Sequence, residues 1–165
     1  MPHEPADQAP RDFGDEGTAI RRLRRFLSAI LLFTTAGMFV ELVLLDHYED
    51  WWQRIPLVLL GLTAVVLFWH GVRGGGASVR AVQVVMGLLV AGSIIGMVLH
   101  YRASAAYFRE MDPTTGGWPL VSKVLHSKAP PALAPGVLLQ MGLIGLAFTY
   151  RHPALNRRDV EGESA

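Results

Sequence analysis

Long apolar runs alternate with short polar intervals along this chain. The runs, Phe26–Leu45, Ile55–Val72, Ala81–Leu99 and Ala132–Tyr150, each approach the roughly 20 helical residues that cross a bilayer. Hydrocarbon offers no water to a peptide N–H or C=O, so such segments bond internally as helices and pack side by side. The pattern predicts an all-α integral membrane four-helix bundle with spans at about 26–45, 55–72, 81–101 and 132–150. A disordered tail over residues 1–20 precedes the bundle, which occupies 21–152, and a flexible tail over 153–165 follows it. The first run follows Arg21, Arg22, Arg24 and Arg25 as a signal peptide would, but it exceeds the roughly 7–15 apolar residues of one, which predicts a retained span.

The polar intervals set the expected orientation. Lysine and arginine favour the cytoplasmic side of a membrane. Ten of the fifteen basic residues fall in the amino-terminal tail, the second loop and the carboxyl tail, against Arg54, Arg102, Arg109, Lys123 and Lys128 in the first and third loops. Both termini are therefore expected in the cytoplasm, and the membrane expected is a bacterial inner membrane. Loop one, from Asp46 to Arg54, is acidic and carries Trp51 and Trp52, which suit the aromatic belt at a membrane surface. Pro56 falls where a helix tolerates it, in the first turn. Loop two, Arg73 to Ser78, contains three glycines and no phosphate-binding signature, and reads as a flexible turn.

Loop three is longer than a helix hairpin requires. Good helix formers over 103–111 extend span three until Asp112-Pro113 ends it. Trp118, Val121, Val124 and Leu125 then recur at helical spacing, with Ser122, Lys123 and His126 opposite, predicting a short interfacial helix. A Pro-rich stretch, 129–136, stiffens the approach to span four.

Composition narrows the chemistry. The 51% apolar content is unremarkable for a globular chain, but its segregation into blocks marks a membrane protein. A net charge of +1, without an interleaved basic and aromatic stripe, gives no support to nucleic-acid binding. The chain has no cysteine, which removes disulfides, thiolate metal sites and cysteine nucleophiles. No G-x-S-x-G occurs.

Four residues stand out as candidate ligands: Glu41, Asp46, His47 and His100. Glu41 is the one ionisable side chain inside the first span, where a carboxylate costs of order 3 kcal/mol unless paired or wetted. Arg54, Arg102 or a backbone donor is its expected partner. Asp46, His47 and His100 share its outer level, so a transition-metal site built from His47, His100 and Glu41 is conceivable, although no H-x-x-x-H or H-E-x-x-H spacing appears. Haem ligation between histidines, His47 with His100 or His70 with His152, is disfavoured because all four lie at span edges. Gly92 and Gly96 on span three, and Gly142 and Gly145 on span four, predict close helix packing, and Ser93, Thr35 and Thr63 are expected to bond between helices. Three readings stay open. The first is a non-catalytic accessory or scaffold subunit with a polar outward patch, homo-oligomeric or joined to a membrane-complex partner in the lipid bilayer. The second is a metal-ion, proton or small-cation binding or transport protein using Glu41, His47 and His100. The third is a membrane enzyme acting on lipid or quinone.

Overall fold

The computed structural model describes residues 12–127 and 133–156. Every regular element among them is helical: α1 (Asp12–Leu44), α2 (Arg54–Arg73), α3 (Gly76–Met111), α4 (Gly117–Leu125), α5 (Leu133–Thr149) and α6 (Pro153–Asn156). Expectations for the tails before residue 12 and after 156, and for 128–132 with Lys128 and the first half of the Pro-rich stretch, lie outside the described residues.

Three helices, α1 from Gly17 onward, α2 and α3, are long and apolar enough to cross a membrane. Their outward faces are apolar too, with Phe33 82% and Phe68 72% exposed. A helix packed in water turns a polar face outward, whereas one in lipid has no reason to. Three such helices are consistent with a multi-pass membrane protein. The 17 residues of α5 are equally apolar and span about 26 Å at 1.5 Å per residue.

One core draws on all four apolar helices. Leu31, Met38 and Leu42 of α1 meet Leu60 and Leu67 of α2, Met86 and Leu89 of α3, and Leu138, Met141 and Phe148 of α5. Contacts run α1 to α2, α2 to α3, α3 to α5 and α5 back to α1. Close approach of α3 and α5 depends on missing side chains: a Cβ on Gly142 would stand 2.9 Å from the Met86 carbonyl oxygen, and one on Gly145 would strike the Met86 side chain. Gly92 accommodates Leu59 of α2, while Gly96 faces Pro135 of α5. Gly142 and Gly145 thus share one helix contact, while Gly92 and Gly96 serve different neighbours.

Several local expectations change. Helix α1 starts at Asp12, inside the stretch expected to be disordered. The tail beyond 152 begins with α6, whose Ala154 carbonyl abuts Gly76 so closely that a Cβ there would lie 2.7 Å away. Loop two shrinks to Gly74 and Gly75. Gly74 takes the left-handed conformation at φ 59° and returns its N–H to the His70 carbonyl, which stops α2 within one residue. The hydroxyls of Thr35, Thr63 and Ser93 donate within their own helices, to the carbonyls of Leu31, Leu59 and Leu89. An i−4 carbonyl is always within reach of a helical hydroxyl and needs no partner helix.

Candidate functional site

Two polar ends cap the apolar core. At one, the start of α1 meets the end of α2, the start of α3 and the α5–α6 corner. Seven described arginines gather there: Arg21, Arg22, Arg24, Arg25, Arg73, Arg80 and Arg151. At the opposite end lie the loop after α1, the start of α2, the outer half of α3, α4 and the start of α5.

The opposite end holds the residues singled out from the sequence. His47, in the turns after α1, and His100, on α3, stack with ring centroids 6.1 Å apart and planes 19° from parallel. They share the lining of a cavity of about 50 Å³ with Pro56, Ser93, Gly96 and Pro135, a space sized for a few waters. Burial, and then the neighbouring His100, hold the His47 imidazole below its ordinary pKa. Asp46 turns away to accept the Tyr48 hydroxyl at 2.8 Å, which raises the Tyr48 pKa. Glu41 lies outside this cavity, exposed on the surface of α1. Its expected partners are engaged elsewhere or apart: Arg54 Nε donates to the Tyr48 carbonyl at 3.0 Å, and the one ion pair among the described residues joins Lys123 to Asp112. The structure therefore brings His47 and His100 together without Glu41 or Asp46. No group of three or more His, Asp or Glu among the described residues is arranged to hold a metal ion.

Above this pair, α3 projects beyond the core and α4 folds back on it. Leu120 and Val124 of α4 pack on Ala105, Tyr101 and Phe108. The predicted helix is present, and its buried face is shifted: Val124 of the expected apolar set is buried together with Leu120, while Trp118 is 76% exposed and Leu125 49%. Asp112 ties the turn between the two helices. Its carboxylate accepts from the Thr114 hydroxyl, the Thr115 hydroxyl, the Thr114 amide and Lys123, and these donors hold its pKa well below the usual carboxylate range.

The basic end contains an arrangement the sequence did not reveal as a site. Arg21, Arg24, Arg25 and Ser28 recur at three- and four-residue steps, so they form one stripe on α1. That stripe, His70 and Gly71 of α2, and Phe148, His152 and Pro153 of the α5–α6 corner enclose about 440 Å³. The Arg24 guanidinium donates to the Tyr150 and Arg151 carbonyls at 3.0 and 3.1 Å, satisfying the carboxyl end of α5. His70 and His152 meet edge to face, 5.1 Å between centroids. Ser78 donates its hydroxyl to the Gly75 carbonyl at 2.7 Å, so its oxygen accepts from His70 Nδ1 at 3.0 Å. His152 Nδ1 in turn accepts the Ala154 amide, placing the neutral ring's proton on Nε2. Burial, Arg24 and His70 together press the His152 pKa downward. In the sequence these arginines mark only orientation; their common spacing is the signal that they share a face.

Protein-family models, curated proteins and solved structures yield no match to this chain.

Proposed function

We propose that the chain is a four-span membrane protein of the bacterial inner membrane, with both termini cytoplasmic, that serves as a non-catalytic accessory or scaffold subunit. In this reading α5 is the fourth span, tolerable at 17 residues because short hydrophobic segments thin the surrounding bilayer. The basic end faces the cytoplasm, in keeping with the seven arginines gathered there.

The observation that carries the subunit reading is Glu41. It is exposed on a helix face between Val40 and Leu44, both themselves exposed, and its carboxylate has no hydrogen-bond or ion-pair partner among the described residues. An exposed carboxylate one turn from the end of α1, at the outer level, meets water or a donor from a neighbouring chain, and apolar residues on both sides of it favour the neighbouring chain. The core favours a static role as well, because its hydroxyls are satisfied within single helices and leave no polar path along the axis.

The mass of the particle extracted from native membranes in mild detergent tests this. A particle heavier than one 18.1 kDa chain is expected, and Glu41→Leu should dissociate it while leaving the helical content intact. A single-chain particle for both proteins would contradict the reading.

A further inference from the structure

The cavity at the basic end is unlike the rest of the molecule. Arg21, Arg24 and Arg25, with His70 and His152, line about 440 Å³, and none of the described residues lining it is acidic. Like charges brought this close repel unless an anion joins them, and a planar guanidinium matches phosphate oxygens in pairs. Arg24 is pinned by its two carbonyl bonds, and Arg21 Nη2 by the Thr18 hydroxyl at 2.9 Å, so two of the three side chains are already oriented. Arg25 has no partner among the described residues and is free to engage a ligand.

We propose that this cavity binds the phosphate group of an anionic ligand, with Arg21, Arg24 and Arg25 as the charge, His152 Nε2–H as an added donor and Phe148 as an apolar wall. The source we assign is the headgroup of an anionic phospholipid. Along α1 the arginines alternate with exposed Ile20, Leu23 and Phe26, so the stripe lies where the helix passes from apolar to polar surroundings, the level of headgroups. Basic pockets between membrane helices suit such headgroups. The inference needs this end to lie at a membrane surface, but it is independent of the lateral assembly proposed for Glu41.

The test uses the full chain in detergent micelles and counts bound molecules by native mass spectrometry after adding phosphatidylglycerol, phosphatidylcholine or inorganic phosphate separately. Phosphatidylglycerol should be retained in preference to phosphatidylcholine. The double variant Arg21→Gln/Arg25→Gln should weaken that retention about thirtyfold, the equivalent of about 1 kcal/mol per arginine near a membrane surface. Ser28→Phe, which fills the cavity without changing any charge, should weaken it too. Arg80→Gln, a basic residue of the same end outside the cavity, should leave it unchanged. Retention of inorganic phosphate without a lipid preference would keep the phosphate site and overturn the lipid source. Equal retention of both lipids without phosphate binding would overturn the site, as would a lipid preference that survives both the double variant and Ser28→Phe.

Discussion

Met86 packs against both Gly142 and Gly145, and the two glycines differ in what a methyl group would meet. At Gly142 the obstacles are the Val90 Cγ2 methyl at 2.7 Å and the α3 backbone itself, the Met86 carbonyl oxygen at 2.9 Å and the Val90 nitrogen at 3.2 Å; at Gly145 it is the Met86 side chain. A thioether can swing aside, while a helix backbone moves only as a whole. Gly142→Ala should therefore destabilise the protein by about 1–3 kcal/mol. Gly145→Ala should be nearly neutral, because the roughly 1 kcal/mol gained in helix propensity offsets a small repacking cost. Thermal unfolding in detergent distinguishes the two, and equal losses would contradict this account of the α3–α5 contact. The His47–His100 pair gives a second residue-scale expectation. The folded state holds the His47 pKa down, so the unfolded chain takes up a proton first as pH falls below about 6.5. Stability should then decline as pH drops from 7.5 to 5.5, and His47→Gln should flatten part of that decline. A wild-type midpoint independent of pH across this range would contradict the paired burial.

At the scale of elements, α4 shows what a sequence pattern can and cannot assign. Its helical spacing was legible, as was the stop imposed on α3 by Asp112-Pro113. Its buried face was not, because both faces are apolar: Trp118 and Leu125 on one side, Leu120 and Val124 on the other. In water the apolar face would point to protein, but at a membrane surface one face can meet protein and the other lipid. Leu120 is 2% exposed against α3, so Leu120→Ala should loosen α4 by about 2–5 kcal/mol. Hydrogen exchange should accelerate across 117–125 and remain unchanged in the core of α1 to α3. Uniform acceleration would show that α4 is part of one cooperative core instead of a separate layer. The same ambiguity explains the core hydroxyls. Sequence identifies a polar residue in a span, but both its own helix and its neighbour offer carbonyls.

For the molecule as a whole, the helices were legible because a lipid surround imposes one solution on long apolar segments. The ends were not. His47 meets His100, and Arg24 meets Tyr150, only through packing of elements far apart in sequence. His47 lies beside His100 and His70 beside His152, pairs that equal depth offered only as disfavoured haem ligands. Depth carried no information on rotation about each helix axis, which sets Glu41 outside the cavity that His47 and His100 line. The contrast between a basic end with an arginine-lined cavity and an opposite end with stacked imidazoles gives the molecule its polarity. That polarity supports the proposed orientation, with the basic end in the cytoplasm. The chain contains no cysteine, so single substitutions report sidedness on an otherwise unaltered background. Glu49→Cys and Trp118→Cys should react with a membrane-impermeant maleimide in intact cells, whereas Ala77→Cys and Ala165→Cys should react only after permeabilisation. Labelling of Trp118→Cys and Ala165→Cys from the same side would deny α5 a crossing, and labelling of Glu49→Cys and Ala77→Cys from the same side would contradict the membrane-spanning account itself.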